Sequence, residues 1–231
     1  WRCTLPASER GKVPMTHLYF IRAGGESINS VLPGAAVGGE GVKAWLLATF
    51  GVSSASAVAS LVITKTALTV TQALFVVIGI GALFIRVGRP AAGAAWLAVL
   101  LAIFVAFAKG LIHLQRHGPA QAVWRFLNRF VPRARIVARL RERAEAVDER
   151  LDRFYALESG AYWRAAGWHM AGWLLGIPEV LLIMALIGSP VSFLDALVIE
   201  SLSQVIRAAA LVIPGGLGTQ EIGGVALCRF L

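Results

Sequence analysis

Long apolar runs alternate with short polar breaks along this chain of 231 residues. Ala67 to Ile85 carries no charge, and the apolar pattern extends back through Ala55–Ile63 across Lys65. Ala91 to Ala108 is a second uncharged run, joined to the first by the tight link 86–90. A third, Ala165 to Ile187, is interrupted by Pro178-Glu179. A fourth, Val191 to Ile213, carries Asp195, Glu200 and Arg207, and Gly188-Ser189-Pro190 turns between the last two. About 20 apolar residues cross the hydrocarbon of a bilayer. The pattern therefore predicts an all-α, polytopic helical integral membrane protein with two spans in 55–108 and two more in 165–213.

Residues 109–164 follow a different pattern. Ile136, Leu140, Ala144, Val147, Leu151 and Phe154 recur at three- and four-residue steps, one apolar stripe on an amphipathic helix that starts after Pro132. The opposite face sets Arg141 against Glu145 and Glu149 against Arg153 at i, i+4. Two readings stand: a basic helix lying on an anionic leaflet, and a solvated helix packed on its own membrane domain.

Two interruptions share one grammar. Val31-Leu32-Pro33-Gly34 is followed by Glu40, seven residues after the proline, and Val212-Ile213-Pro214-Gly215 by Glu221, again seven after the proline. Pro-Gly and a carboxylate are costly in lipid and persist there mainly when buried in protein or lining a polar cavity. Paired broken segments in two halves of a membrane protein are a pointer to a transporter-like binding site. Residues 22–50 are thus expected to form a re-entrant or half-helix segment. Residues 214–231 are expected to begin a matching one, the two being inverted repeats around one cavity. The competing reading is two unrelated Gly/Pro-rich turns.

Composition agrees with the membrane assignment. Hydrophobic residues make up 57% and charged residues 15%, against about 25% charged in a soluble domain. The net charge of +9 then speaks of anionic headgroups and topology, and no nucleic-acid-binding signature accompanies it. Residues 109–164 hold 12 of the 22 Lys and Arg, so the positive-inside rule puts that loop in the cytoplasm. Arg2, Arg10, Lys12 and Arg22 fall on the same side, two spans away. Arg86 and Arg89 fall on the outer side and oppose the bias. The chain opens on Trp1 and ends at Leu231 inside an apolar stretch. A fragment of a longer protein, lacking an N-terminal part and at least one C-terminal helix, is expected.

Candidate chemistry is sparse. Cys3 and Cys228 have no CxxC partner, and His17, His113, His117 and His169 show no metal-ligand pattern. Gly34 to Lys43 lacks the Gly-Lys-Ser/Thr of a phosphate loop, and Gly215 to Glu221 lacks the third glycine of a dinucleotide fingerprint. No catalytic triad can be assembled, and no cofactor or metal is implied. What remains is charge inside apolar runs: Lys65, Glu179, Asp195, Glu200 and Arg207, each costing roughly 2.5–3.5 kcal/mol at mid-bilayer. Lys65 and Asp195 have a second reading, snorkelling to an interface. Glu200, Gln204 and Arg207, at i, i+4, i+7, form a polar stripe on one helical face. It reads as a binding surface or as a network joining helices. Glu200 lies two turns from Arg207, which makes Glu40, Glu221 or a bound phosphate the expected counter-ion.

At these residues the chain resembles a known family. Glu26-Ser27-Ile28-Asn29-Ser30-Val31-Leu32-Pro33, continuing through Gly38-Gly39-Glu40 to Lys43 and Leu46-Leu47, is similar to the N-terminal signature of the lysylphosphatidylglycerol synthase transmembrane (flippase-like) family. Ile213-Pro214-Gly215-Gly216-Leu217-Gly218-Thr219-Gln220-Glu221 resembles its C-terminal signature. The Glu-Ser-x-Asn opening looks closest to the hopanoid-biosynthesis-associated members. The resemblance implies a single membrane domain in the bacterial inner membrane that moves or handles lipids. Anionic membrane lipids would be its partners, with lipid-biosynthesis enzymes alongside. The separate soluble domain that performs aminoacyl transfer in the synthases is not in this sequence, so a non-enzymatic role is favoured. Residues expected at a lipid site are Glu26, Asn29, Pro33, Glu40, Lys43, Glu200, Gln204, Arg207, Pro214, Gly215 and Glu221. The alternatives are a membrane subunit of a lipid-modifying enzyme, with Glu40 or Glu200 as acid/base, and a small-solute secondary transporter.

Overall fold

The computed structural model describes residues 1–31, 38–88, 90–116, 134–209 and 218–230. They form a short 3-10 turn, Arg2–Thr4, and eight α-helices with no strand among the described residues: α1 (Met15–Val31), α2 (Gly38–Thr49), α3 (Ser54–Arg86), α4 (Pro90–Arg116), α5 (Ala134–Leu157), α6 (Ser159–Leu186), α7 (Phe193–Ala209) and α8 (Thr219–Phe230). Three, α3, α4 and α6, are long and apolar enough to cross a membrane. The fourth expected span is α7, a 17-residue helix that carries Asp195, Glu200 and Arg207 and is not among those three. The protein is an all-α polytopic membrane protein. Two compact units divide it: residues 1–29, 35–67 and 108–165 in the first, and 30–34, 68–107 and 166–231 in the second.

The first unit gathers α1, α2, the N-terminal part of α3 and α5. Its core joins Leu5, Val13, Leu18, Ile21, Leu47, Val52 and Ala57. The apolar residues 55–63 do not face lipid throughout, because Ala57, Ala59, Leu61 and Ile63 are buried beside Ser56 and Ser60. Thr4 holds the N-terminal segment to this stretch, donating to the Ser60 carbonyl and meeting the Thr64 hydroxyl at 2.9 Å. The stripe on α5 is buried at Val147, Leu151 and Phe154. Arg150 and Arg153 on its flank line a small cavity with Thr4, Ser56 and Ile63. Of the two readings of this helix, packing on its own domain is the one the structure supports. A buried chain of Thr66, Gln115 and Tyr155 ties α3, α4 and α5 together by hydrogen bonds.

In the second unit α7 packs against α3, α6 and α8. Phe75, Ile177 and Ala196 form its centre, with Trp173 stacked on Phe75 and donating to Thr71 at 3.2 Å. Glycines set the spacing. A Cβ on Gly79 would overlap Ser201, one on Gly176 would meet Glu200 Cδ at 2.9 Å, and one on Gly223 would meet Ile206 at 2.7 Å. Small residues that let helix backbones approach are how membrane helices gain packing contacts where lipid offers no hydrophobic drive. Pro178 does not break α6, which runs through it as one 28-residue helix. The cost of a proline within a helix is one lost hydrogen bond and a local distortion, and the neighbouring Ile177 is anchored in the core.

Candidate functional site

Charge concentrates where α1 meets α2. Arg22, Glu26 and Asn29 recur at i, i+4, i+7 and so share one face of α1. Asn29 Oδ1 accepts a hydrogen bond at 3.0 Å from the Gly39 backbone N–H, one of the first-turn donors that α2 cannot satisfy itself. The approach requires glycine on both helices. A Cβ on Gly39 would overlap the Asn29 amide and the Gly25 carbonyl, and a Cβ on Gly25 would overlap the Lys43 stem.

Under this crossing lie two lysines and two carboxylates. Lys43 is 3% exposed, and its ammonium donates to Glu26 Oε1 at 2.5 Å and to Glu40 Oε1 at 2.9 Å. Lys65, from α3, faces the same two oxygens at 3.6 and 3.0 Å. The four groups alternate in sign and sum to zero. Lys65 and Glu26 stay about half exposed while Lys43 and Glu40 are withdrawn, so the cluster has an open side and a closed side. On the closed side Glu40 Oε2 is buried with no hydrogen-bond donor among the described residues. A buried carboxylate oxygen left unpaired costs about 1–3 kcal/mol or more.

The polar stripe of α7 forms a second cluster within its own unit. Glu200 Oε1 accepts from Gln204 at 2.7 Å and from Arg207 Nη2 at 3.0 Å, and Gln204 Oε1 accepts from Arg207 Nε at 3.3 Å. Gln204 is buried and also meets Gln72 of α3 at 3.4 Å. The expected remote counter-ion of Arg207 is therefore corrected: its partner is Glu200, on the same helix. Side chains on a helix lean toward its N-terminus, and the long guanidinium reaches back over Gln204 across both turns. Asp195 is likewise not adrift in a span. It caps the first turn of α7 with Ser192 and accepts from Arg86 Nε at 2.7 Å.

Glu40 and Glu221 occupy the same local position, the third residue of a 12-residue helix that begins five residues after a proline. In each case a 17-residue helix precedes that proline. Glu221 is exposed in α8. Pro33, Pro214 and Gly215 lie outside the described residues, as does the expected meeting of the two Pro-Gly motifs. Of the expected site residues, Glu26, Asn29, Glu40 and Lys43 form one cluster, and Glu200, Gln204 and Arg207 form another. Sequence reasoning missed Lys65 as a member of the first and Gln72 as a neighbour of the second. Lys65 stood alone in an apolar run, and nothing local revealed its carboxylate partners. Among the described residues no group of His, Cys, Asp and Glu is placed to hold a metal.

Span-length apolar helices with charge clusters between helices define a class: polytopic helical membrane proteins. The chain matches the lysylphosphatidylglycerol synthase TM region over residues 1–231 and belongs to that family. Its function is thereby tied to membrane lipids. No curated protein and no solved structure matches the chain.

Proposed function

We propose that this protein is a lipid translocase of the bacterial cytoplasmic membrane, acting on a phospholipid or hopanoid-type lipid, with residues 109–164 in the cytoplasm. The observation that carries this reading is the four-charge cluster with its open side. A headgroup entering a dry site must exchange its hydration for protein contacts. An alternating cluster supports that exchange, because a lipid phosphate can take the place of a carboxylate at Lys65 without stripping the protein of partners. Arg22, one turn from Glu26, adds the positive charge that balances an anionic phosphate. A headgroup hydroxyl or amine can donate to the half-exposed Glu26 carboxylate.

The test uses purified protein in liposomes with a fluorescent phosphatidylglycerol, following its accessibility to a membrane-impermeant quencher, with and without an imposed proton gradient. Wild-type protein should accelerate leaflet exchange well above protein-free liposomes. Lys65→Gln should slow it at least tenfold, as expected from losing one charge-assisted hydrogen bond of roughly 1.5–3 kcal/mol. Lys65→Arg should retain most of the rate. No acceleration by wild-type protein under either condition would overturn the proposal.

A second reading, the membrane part of a lipid-modifying enzyme, draws on the unpaired oxygen of Glu40, which is where an acid/base group would need spare capacity. It predicts a new lipid product on mass spectrometry after incubation with membranes. That product should be lost in Glu40→Gln and should not depend on leaflet exchange.

A further inference from the structure

A cleft of about 580 Å³ opens in the second unit. Val77, Gly81 and Ile85 of α3 form one wall, Leu97 and Leu101 of α4 another, and Leu197 of α7 a third. The lining is apolar throughout. Ile85 lies eight residue steps beyond Val77, about 12 Å of helix axis, close to the roughly 15 Å of hydrocarbon in one leaflet. The walls come closest at Gly81, where a Cβ would stand in ordinary contact with Leu97 at 3.4 Å, so a large side chain there would fill the space between them. Charge begins where the cleft stops. Ile85 is followed by Arg86 and Leu194 by Asp195, and these two charged residues pair at 2.7 Å. Asp195 holds the Nε edge of Arg86 while its own second oxygen is fixed by Ser192 at 2.7 Å. The guanidinium is thus oriented, and the side chain stays 45% exposed.

We propose that this cleft is a resident lipid site: it takes one acyl chain of a bilayer phospholipid, whose phosphate lies on Arg86. Apolar walls, a leaflet's depth and a cation at the mouth match the three parts of that ligand in order. α3 and α4 are both spans, so the cleft opens toward hydrocarbon and the occupant is the molecule already there. A bound chain touches protein on three sides where an annular lipid touches one. The oriented guanidinium favours phosphate geometry and, through net charge, an anionic headgroup. The site requires membrane embedding only, and it does not depend on the translocation reading.

Native mass spectrometry of the whole protein, released in mild detergent from nanodiscs of equal phosphatidylglycerol and phosphatidylethanolamine, tests the proposal. Wild-type protein should retain one phospholipid, mainly phosphatidylglycerol. Gly81→Leu, and Ala94→Phe at an exposed position on the rim, should each lower retention at least tenfold. The Ala94 variant keeps the test open should the glycine change disturb folding. Arg86→Gln should keep a lipid but bring the two headgroups toward parity. Glu142→Gln, at an exposed position of α5 outside both sites, should change nothing. Wild-type protein without a retained lipid would overturn the proposal, as would retention unchanged in Ala94→Phe or lost equally in Glu142→Gln.

Discussion

Lys43 shows what one residue contributes in this protein. Its ammonium is buried and is shared by two carboxylates. Removing one member of a buried ion pair usually costs about 3–5 kcal/mol, because the remaining charge is stranded. Lys65 stays within 3.0 Å of Glu40 after such a change, so Lys43→Gln should cost about 3 kcal/mol, the low end of that range. The unfolding midpoint in detergent should fall accordingly, and Lys65→Gln, at a half-exposed position, should move it far less. A Lys43 variant as stable as wild type would mean that the buried charge is compensated elsewhere. The glycines beneath these charges are as restrictive as the charges themselves. Gly25→Ala and Gly39→Ala add only a methyl, yet each places it inside an occupied volume, and both should destabilise the α1–α2 crossing. Arg207 changes standing. Arg207→Gln takes the cation from the mostly withdrawn Glu200 and should lower the unfolding midpoint, less than Lys43→Gln does because Arg207 is itself 45% exposed; a loss of lipid handling larger than that fall in stability is the measure of function.

At the scale of elements, the helix after Pro132 offers the sharpest test. Leu151 is fully buried, and Leu151→Ala should cost about 2–5 kcal/mol as a large-to-small core change. A helix resting on lipid alone would hardly register the substitution. Cytoplasmic placement of this helix is checked separately. In a background with Cys3→Ser and Cys228→Ser, cysteine at the exposed Glu142 should resist a membrane-impermeant thiol reagent in intact cells, and ready labelling would invert the topology. Much of the element structure was legible from sequence, because an uncharged run of span length has few alternatives in water or lipid. The stripe on α5 was equally legible as a stripe. What it packs against was not, since an apolar face looks the same toward protein and toward a leaflet. The start of α3 shows the same limit: residues 55–63 continue the span as the pattern predicts, but that they lie largely in a protein core is not written in the pattern. The charge cluster was legible only in part. Glu26, Asn29, Glu40 and Lys43 lie within one short stretch, whereas Lys65 enters from another helix by a contact no local pattern encodes.

Seen as a whole molecule, the chain is threaded by α3, which passes from the first unit to the second at residues 67–68. Lys65 and Arg86 bracket its uncharged stretch. They are separated by 21 residues, about 31 Å along the axis, the thickness of a bilayer's hydrocarbon. Lys65 belongs to the charge cluster of the first unit and Arg86 pairs with Asp195 in the second, and two separately testable lipid contacts follow. A short helix sets a different dimension. α2 has 12 residues, about 18 Å, less than hydrocarbon of ordinary depth. A bilayer meeting so short a rod can compress around it, at a cost of a fraction of a kcal/mol for each ångström of mismatch. Membrane elasticity then becomes a variable of the protein's function. Leaflet exchange should run faster in liposomes of short-chain lipids than in long-chain ones at equal headgroup composition, and a rate indifferent to chain length would show that α2 is shielded from the surrounding lipid.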